Sequence, residues 1–599
     1  MRLVRRFVGW LVVILVGSAG SILAAPERKP NVVVILADDQ GWGDLGIHGN
    51  ANLSTPRIDA LAKAGARFER FFVCPVCAPT RAEFLTGRYH LRGGVRGVST
   101  GFERLDLGER TLAESLLAAG YETGAFGKWH NGSQWPYHPN ARGFREFFGF
   151  TSGHWGEYFD APLEHNGRFV KSRGFIADAF TDRAIEFIGE NASRPFFCYL
   201  AFNTPHSPFS VPDKNWDAVK DRSIGMRGPE GAKEDLAVTR AALGLCENLD
   251  ANVGRVLDEL DRRGLADDTI VVYFSDNGPN SARWNGGMRG RKGSTDEGGV
   301  RSPCFISWPG RIAAGRVVPE IAGAIDLLPT LLALAGAKRV GDRPLDGRDL
   351  SPLLLGKPVE WTDRMIFTHQ NGQVSVRTRA HRLDATGRLY DMVADPGQTK
   401  DLAKAERETA DRLKLAVDTW KRELNPSEPV GARRVPQNLS VDARPVPVGF
   451  PEFPTTVLPA RDGAPSGGIG RSASAPNCSY FVNWTTTEGR ITWNIEVETA
   501  GEYDVVAWYT CPEADAGARI ELAHGSSRLE AKIDRAWDPP LLADQDRVER
   551  KGESIMKEFR PIVLGRIRLE RGRGPLILRA IEIPGKSVMD LRMITLTLR

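Results

Sequence analysis

Three short stretches of the chain are almost continuously apolar: residues 31–37 (NVVVILA), 195–202 (PFFCYLAF) and 269–274 (TIVVYF). Runs of this length are typical of strands that are buried on both faces of a parallel sheet. Between the runs, apolar residues recur with the spacing of amphipathic helices. The predicted helices cover residues 56–64, 111–119, 176–188 and 236–263. Strands that alternate with helices in this way predict an α/β doubly wound sheet.

Polar residues follow each of the three apolar runs directly. Asp38 and Asp39 follow the first, residues 203–206 follow the second, and residues 275–278 follow the third. In an open α/β sheet, ligand-binding groups gather beyond the carboxyl ends of the strands. These three segments are therefore expected to lie close together and to form part of a functional site.

The pattern changes in the last third of the chain. Residues 426–470 are rich in Pro, Gly and Ser and lack periodicity, which predicts a linker or an extended crossover. Residues 471–599 contain short alternating segments separated by turn residues, which predicts an all-β sandwich. The predicted strands of this sandwich cover residues 489–497, 501–509, 518–523, 562–569, 576–583 and 591–598.

Composition and charge narrow the class of protein. A chain of 599 residues exceeds one ordinary hydrophobic core and predicts at least two domains. The hydrophobic fraction of 41% and the charged fraction of 26% are those of a soluble globular protein. The net charge is only +4, and Arg2, Arg5 and Arg6 contribute to it from the N-terminal segment. Nucleic-acid binding is therefore not expected.

Residues 1–25 have the organisation of a secretory signal peptide. Arginines precede an apolar run at residues 7–16, and small residues follow as far as Ala25. The apolar run is shorter than the roughly 20 residues that span a bilayer, which favours a cleaved signal peptide. An uncleaved membrane anchor is the alternative interpretation. The sequence thus predicts export to the periplasm or the extracellular space.

Seven cysteines occur, at positions 74, 77, 198, 246, 304, 478 and 511. An odd number spread this widely does not predict a disulfide framework. Cys478 and Cys511 are a candidate pair within the C-terminal region. Cys198 and Cys304 lie in apolar runs and are expected to pack in the core.

Residues 77–88 (CAPTRAEFLTGR) are the most informative segment of the chain. They resemble the signature of the type I (formylglycine-dependent) sulfatases and arylsulfatases of the alkaline phosphatase superfamily, a Cys-x-Pro-x-Arg core followed by Leu-Thr-Gly-Arg. Thr80 stands where serine is commoner in the family. A buried cysteine beside a Pro-Thr turn is the alternative interpretation, and the second half of the signature argues against it.

The resemblance implies an unusual nucleophile at position 77. In this family a maturation enzyme oxidises the cysteine to Cα-formylglycine, an aldehyde that hydrates to a geminal diol. One hydroxyl group of the diol attacks the sulfur of a sulfate ester. Loss of the proton from the other hydroxyl then re-forms the carbonyl and releases sulfate by C–O cleavage. One difficult step is thereby split into two easier ones.

The resemblance also implies a metal site. Asp38, Asp39, Asp276 and Asn277 resemble the family's metal ligands, and the oxidised side chain of Cys77 supplies a further oxygen. Oxygen ligands suit a hard divalent cation, so Ca²⁺ is expected, with Mg²⁺ as the less favoured ion. Each motif alone has a structural interpretation, a helix cap or turn for Asp-Asp and a hairpin turn for Asp-Asn-Gly.

Residues 127–130 (GKWH) resemble the family's Gly-Lys-Trp-His segment. Lys128 and His130 are two residues apart, so on an extended backbone their side chains face the same side. The resemblance implies that Lys128 holds the diol and the sulfate, while His130 removes the diol proton. A solvated strand edge is the usual explanation of a lone Lys-x-His. Asn131 replaces the family's leucine and is expected at the rim of the pocket.

Three further residues complete the implied site. His206, in residues 204–208 (TPHSP), resembles the histidine that contacts sulfate and protonates the leaving alkoxide. Lys292, in residues 290–303 (GRKGSTDEGGVRSP), resembles a second lysine on the sulfate, with a basic surface loop as the alternative. Arg81 is expected to pair with the diol or with the metal-binding carboxylates.

The matching motifs extend from residue 30 to about residue 404. They imply an alkaline-phosphatase-like α/β fold, a doubly wound mixed sheet sandwiched by helices, with a small α+β C-terminal subdomain. In this subdomain we predict one helix at residues 325–338, broken near Pro329, and another at residues 402–423. The predicted organisation is a signal peptide at 1–25, a catalytic domain at 26–320, the subdomain at 321–425, the linker at 426–470 and a β-sandwich, similar to carbohydrate-binding domains, at 471–599.

The predicted function is hydrolysis of sulfate esters, on a sulfated glycan because export and the β-sandwich favour one. Two alternatives remain: a formylglycine-dependent phosphonate monoester hydrolase or phosphodiesterase, and a catalytically dead glycan-binding protein. The expected partners are the sulfated carbohydrate and the maturation enzyme. Loops at residues 132–142, 151–164 and 213–235 are expected to shape the substrate pocket. Aromatic residues that either contact sugar or pack internally are Trp135, Tyr137, His138, His154 and Trp155. The tryptophans of the β-sandwich, which also favour a glycan substrate, are Trp484, Trp493, Trp508 and Trp537.

Overall fold

The computed structural model describes residues 28–424, 433–435 and 439–599. The predicted signal peptide therefore lies outside the described residues, as do parts of the predicted linker. Among the described helices, none combines the length and the apolarity that crossing a membrane requires.

A large mixed sheet forms the centre of the N-terminal half. Within residues 28–424 it has eleven strands, in the order β11-β2-β10-β8-β1-β7-β3-β4-β5-β6 with β9 beside β2. Their bounds are β1 Asn31–Ala37, β2 Ala66–Phe72, β3 Glu122–Lys128, β4 Glu146–Phe150, β5 Pro162–His165, β6 Arg168–Lys171, β7 Phe196–Ala201, β8 Thr269–Ser275, β9 Arg301–Ser302, β10 Cys304–Ser307 and β11 Arg316–Gly323. Strands β4, β3, β7, β1 and β8 are parallel, and β10 and β5 are antiparallel to their neighbours. The predicted doubly wound mixed sheet is confirmed.

Strand β1 shows why strands of this sheet appear in the sequence as continuous apolar runs. Val32, Val34 and Leu36 enter one hydrophobic core, while Val33 and Ile35 enter a second core on the opposite face. Helices cover both faces, so neither set of side chains meets water. The described helices are α1 Pro56–Ala64, α2 Cys77–Thr86, α3 Leu112–Ala118, α4 Ile176–Glu190, α5 Asp213–Val219, α6 Leu236–Arg262, α7 Glu297–Val300, α8 Leu327–Leu334, α9 Ser351–Leu354 and α10 Arg407–Leu424.

A small antiparallel sheet and α10 follow the main sheet. The four strands are β12 Ile366–Gln370, β13 Gln373–Arg377, β14 His381–Leu383 and β15 Leu389–Asp391. Trp420 on α10 packs in one cluster with Val374 and Val376 of β13. The predicted helix at 325–338 is shorter than expected, and Pro329 does not break it. Pro329 occupies the first turn of α8, where a missing N–H costs nothing.

The C-terminal region forms two packed sheets. The first has the order β18-β23-β28-β25-β26 with β20 beside β23, and the second β21-β22-β29-β24-β27 with β19 beside β29. The strands are β18 Val446–Val448, β19 Thr455–Pro459, β20 Ala464–Ser466, β21 Gly470–Arg471, β22 Phe481–Val482, β23 Arg490–Val497, β24 Gly501–Thr510, β25 Arg519–His524, β26 Ser527–Lys532, β27 Arg560–Leu569, β28 Gly572–Glu582 and β29 Asp590–Leu598, with a separate pair β16 Arg433–Val435 and β17 Leu439–Val441.

Two expectations about this region were wrong. The segment predicted as a linker contributes β18, β19 and β20 to the two sheets, because proline is tolerated in short strands at the margin of a sheet and hides their pattern. Cys478 and Cys511 are both free thiols. Cys511 lies in the core between the sheets, whereas the Cys478 thiol donates to the backbone oxygen of His154 at 2.8 Å.

Candidate active site

The carboxyl ends of β1 and β8 bring four oxygen-bearing side chains together. Ala37 and Ser275, the last residues of these parallel strands, lie opposite each other in register. The segments that follow are therefore adjacent: Asn277 Nδ2 donates to Asp39 Oδ1 at 2.8 Å. The backbone N–H of Asp39 donates to Asp276 Oδ1 at 3.2 Å. The expected convergence of the polar segments is thus present.

Cys77 is the first residue of α2 and lies at this cluster. Its sulfur and carboxylate oxygens of Asp38 and Asp39 all lie within 4.8 Å of one another. Thr80 fixes the start of the helix, because its hydroxyl donates to the backbone oxygen of Asp276 at 2.6 Å and accepts from the Cys74 N–H at 2.8 Å. A serine hydroxyl makes the same two bonds, which explains why threonine is acceptable at this position.

The Cys77 side chain is poorly suited to act as a thiolate. Burial raises the pKa of the thiol and Asp38 and Asp276 add to the shift, although Lys128 and Lys292 oppose it. Catalytic cysteines need the opposite, a lowered pKa and partial exposure. The environment therefore argues against a role for Cys77 as a thiolate nucleophile.

The site fits a hard divalent cation. Asp38 Oδ1 and Asn277 Oδ1 are buried and accept no hydrogen bond from the described residues. A buried oxygen without a donor carries a desolvation cost, and a cation bound to it removes that cost. The donor set of Asp38, Asp39, Asp276 and Asn277 offers oxygen only, the ligand type that Ca²⁺ and Mg²⁺ prefer.

Three cationic side chains surround the carboxylates. Lys128 Nζ lies 2.7 Å from Asp38 Oδ2, and Lys292 Nζ lies 2.7 Å from Asp39 Oδ1. Arg81 donates to Asp276 Oδ2 at 2.8 Å and to the backbone oxygen of Lys128 at 2.7 Å. Arg81 thus pairs with Asp276, one of the carboxylates expected to bind the metal.

Charge compensation decides which carboxylates are ionised. Burial would raise the pKa of Asp38 and of Asp39, but Lys128, Lys292 and nearby His206 together hold both below the usual range. Burial and the neighbouring Asp38 raise the pKa of Asp276 to about 7, against the opposing effect of Arg81. The site therefore places negative charge mainly on the pair that follows β1.

The two predicted histidines occupy different surroundings. His206 Nε2 lies 3.5 Å from Asp39 Oδ2, and its ring stacks on that of His154 with centroids 5.6 Å apart. His130 is buried and bonded through Nε2 to the backbone oxygen of Val98 at 2.8 Å, while Nδ1 has no partner among the described residues. Burial lowers the pKa of His130 well below its usual value, and nearby Lys128 adds to this shift.

Two expectations about the segment after Lys128 were wrong. The backbone is not extended at His130, where φ is 66°, so Lys128 and His130 are not on one side of a strand. Asn131 is completely buried and does not lie at the rim of the pocket. Its side chain donates to the backbone oxygen of Ala78 at 3.2 Å. The turn needed to end β3 beside α2 accounts for both differences.

The loop that carries Lys292 is anchored by a buried ion-pair network. Glu297 accepts from Arg382 at 2.9 Å and from Arg377 at 3.2 Å, and all three side chains are buried. Arg382 also donates to the backbone oxygen of Thr295 at 2.8 Å. The small sheet β12–β15 therefore fixes the position of Lys292 relative to the main sheet.

Most of the aromatic residues named from the sequence pack against other side chains of the protein. Trp135 stacks on Phe453 at 5.6 Å, and Trp155 stacks on Phe150 at 5.1 Å. Trp484 and Trp493 are fully buried in the C-terminal core. Among the remainder, Tyr137 lies under Arg104, His138 contacts Phe453, Trp508 contacts Phe169 and Trp537 lies under Arg560. His154 is the member of this group that touches a predicted site residue.

Sequence reasoning missed two residues that the β-sheet domain brings to the site. Asn477 lies against the Gly153 loop, where a Cβ on Gly153 would meet Asn477 Nδ2 at 2.1 Å and His130 Nε2 at 2.6 Å. Glu553 accepts a hydrogen bond of 2.6 Å from the hydroxyl of Ser207, next to His206. Asn477 lies in a short 3-10 helix and Glu553 lies in a loop, both far along the chain from the motifs, so no sequence signal located them.

Comparison with known proteins decides the family. A family model described as Sulfatase matches residues 30–337, just over half of the 599 residues. The chain belongs to the sulfatase family. It is a sulfuric ester hydrolase, as the sequence motifs predict.

Curated relatives of this sulfatase support the same family assignment. N-acetylgalactosamine-6-sulfatase of Canis lupus familiaris is 33% identical over 398 residues, covering 60% of this chain and 72% of the relative. Human (Homo sapiens) arylsulfatase A is 36% identical over 423 residues, covering 62% of this chain and 78% of the relative. The similarity to these relatives thus covers about three-fifths of the sulfatase.

Solved structures show the same fold. The protein Ps i-CgsB, in complex with k-i-k-neocarrahexaose, aligns with a TM-score of 0.59 at 30% identity over 66% of this chain and 93% of its own. Phosphonate monoester hydrolase of Agrobacterium radiobacter aligns with a TM-score of 0.51 at 23% identity over 69% of this chain and 100% of its own. The second likeness is one of fold alone.

Proposed function

We propose that the protein hydrolyses sulfate esters on a sulfated glycan, using a formylglycine made from Cys77. The observation that carries this proposal is the position of Cys77 at the start of α2, within 4.8 Å of Asp38 and Asp39. A related sulfatase is named for a sulfated sugar, N-acetylgalactosamine 6-sulfate, and one similar structure is a complex with k-i-k-neocarrahexaose. A maturation enzyme, encountered during export, supplies the oxidation.

The bound cation is Ca²⁺ in this proposal, with Asp38, Asp39, Asp276, Asn277 and oxidised residue 77 as its ligands. When bound, the ion supplies positive charge that favours the ionised diol and neutralises the sulfate oxygens. Calcium is preferred to magnesium because the site is built from carboxylate and amide oxygens without a rigid octahedral frame.

Three cationic side chains of the protein have the next roles in the proposed mechanism. Lys128 lies 2.7 Å from Asp38 and Lys292 lies 2.7 Å from Asp39, and both lysines bind the sulfate in this proposal. Preorganised cations of this kind are each worth roughly 3 kcal/mol of transition-state stabilisation. Arg81, paired with Asp276, keeps the metal-binding carboxylate oriented.

Two histidines move protons in the proposed cycle. His206, whose side chain lies beside Asp39 and is 10% exposed, protonates the leaving alkoxide of the sugar. His130 is neutral because burial lowers its pKa, and its Nδ1 has no partner among the described residues. A neutral imidazole with a free nitrogen is the form that accepts the proton of the second diol hydroxyl.

Sulfate release tests this function. The protein, produced with a formylglycine-generating enzyme, is assayed for sulfate release from a panel of sulfated galactose, N-acetylgalactosamine and glucosamine derivatives. We expect release from at least one sugar, loss of that activity in Cys77→Ala, and retention in the control Cys74→Ala. Activity that survives Cys77→Ala, or hydrolysis confined to phosphodiesters and phosphonates, would overturn the proposal.

The same assay tests the metal. Dialysis against a chelator selective for calcium is expected to abolish sulfate release and to lower the unfolding temperature, because the carboxylate cluster loses its counter-charge. Added Ca²⁺ restores both properties. Restoration by Mg²⁺ but not by Ca²⁺ would contradict the assignment of the ion.

A further inference from the structure

A cavity lies where the C-terminal β-sheet domain meets the loop that follows His206. Its volume is about 360 Å³, which is within the range of small-ligand sites. Ser207 and Asn280, which follow His206 and Asn277 closely in sequence, line it from the catalytic side. The opposite wall is formed by residues 547–551 and Glu553 of the β-sheet domain.

The wall from the β-sheet domain is held firmly in place. Asp546 accepts from the hydroxyl of Ser210 at 2.7 Å, and the backbone N–H of Arg547 donates to the backbone oxygen of Phe209 at 3.1 Å. Arg550 donates to the backbone oxygen of Gly156 at 3.1 Å. These bonds tie the segment to the two loops that carry His154 and His206. The segment therefore belongs to the active-site architecture.

One carboxylate oxygen in this wall lacks a donor. Glu553 Oε1 accepts from Ser207 Oγ at 2.6 Å, but Glu553 Oε2 is buried and has no hydrogen-bond partner among the described residues. Burial raises the pKa of Glu553, but His154, His206 and the bond from Ser207 outweigh it and keep the group ionised at neutral pH. An ionised oxygen without a donor is costly, so a ligand that donates to it gains affinity.

We propose that Glu553 is a substrate-binding residue of this sulfatase, whose second carboxylate oxygen accepts a hydrogen bond from a free hydroxyl of the sulfated sugar. The inference rests on the proposed glycan substrate and adds that this substrate must carry a free hydroxyl group at this place. An ionised carboxylate accepts but never donates hydrogen bonds. It therefore selects a hydroxyl or amide N–H at this place and repels a second sulfate group there.

Binding to an inactive background tests the inference without turnover. Cys77→Ala removes the nucleophile, and isothermal titration measures its affinity for galactose 6-sulfate, N-acetylgalactosamine 6-sulfate, a disulfated galactose and methyl sulfate. Methyl sulfate carries the ester but no hydroxyl. Adding Glu553→Gln should weaken binding of at least one monosulfated sugar, relative to methyl sulfate, by roughly tenfold or more. It should also reduce the preference for that sugar over the disulfated one.

Two comparisons keep the test specific. Glutamine retains an oxygen that accepts from Ser207, so the fold is preserved, and thermal unfolding checks this. Glu558→Gln removes the same charge from an exposed position of the same segment and should change neither ratio. Equal weakening of sugar and methyl sulfate would assign Glu553 to the support of Ser207 and overturn the inference.

The outcome for Glu553 is separable from the outcome for the proposed function. Failure of the wild-type protein to release sulfate from any of these sugars would defeat the proposed function alone, provided that Glu553-dependent binding is seen. Unchanged affinity ratios in Glu553→Gln, or no binding of any sulfated sugar by the Cys77→Ala background, would overturn the inference about Glu553.

Discussion

Glu297 accepts a hydrogen bond of 2.9 Å from Arg382, and this bond joins the Lys292 loop to the small C-terminal sheet. Both side chains are completely buried. Arg377 makes a second bond to the same carboxylate oxygen at 3.2 Å. One carboxylate thus compensates two buried guanidinium groups, and the position of Lys292 depends on it.

Glu297→Gln should destabilise the protein strongly. Removing one partner of a buried ion pair leaves uncompensated charge in the interior, which typically costs about 3–5 kcal/mol. Urea unfolding measures the change in the free energy of unfolding. Glu360→Gln, at an exposed position outside any helix or strand, is the control and should have little effect. A change of similar size in both variants would contradict the role assigned to Glu297.

The lowered pKa of Glu297 predicts that its contribution to the free energy of unfolding is lost in acid. Burial would raise the pKa of Glu297, but Arg377, Arg382 and Arg301 lower it from 4.5 to about 2. A depressed carboxylate pKa contributes stability that is present above the unfolded value and is lost as the pH falls through the folded value. The stability difference between wild type and Glu297→Gln should therefore shrink between about pH 4.5 and pH 2. A difference that stays constant or grows over that interval would refute this.

Lys292→Met should impair catalysis rather than folding. Lys292 Nζ lies 2.7 Å from Asp39, and its side chain is 22% exposed. Loss of one preorganised cation is expected to lower kcat/KM roughly 100-fold to 1,000-fold. The neighbouring Arg291→Met, an exposed position, should leave kcat/KM near the wild-type value. Equal losses in the two variants would identify a general charge effect instead.

The role of His206 predicts a dependence on the leaving group. A sugar alkoxide needs a proton as it leaves, whereas nitrophenolate is stable without one. His206→Ala should therefore lower kcat/KM for a sulfated sugar roughly 100-fold more than for p-nitrophenyl sulfate. His524→Ala, on the β-sheet domain, serves as the control. Parallel losses on both substrates would show that His206 does not act as the acid.

The sequence was sufficient to predict three adjacent strands of the main sheet, β8, β1 and β7, and the residues that converge at their ends. Runs such as residues 31–37 are buried on both faces, so their apolar character survives as a continuous pattern. The ends of those runs then locate Asp38, Asp39, Asp276 and Asn277 without further information, because parallel strands end at one edge of the sheet.

The remaining features depend on contacts that no local pattern encodes. Residues 77–86 form a helix that is buried on every side, so its sequence lacks the spacing of an amphipathic helix. The backbone at His130 turns left-handed to fit beside α2, which removes the period of two expected for a strand. Glu553 reaches the site through the packing of a separate domain, and its position depends on bonds to Ser207 that sequence cannot reveal.

The central claim, that position 77 is a formylglycine, is tested most directly by mass spectrometry of the tryptic peptide covering residues 71–81. The peptide also contains Cys74, which provides an internal control for alkylation. We predict a peptide about 18 Da lighter than the cysteine form before alkylation, with a single alkylated thiol at Cys74. Protein that is active in sulfate release but yields a peptide with two alkylated cysteines would contradict the account.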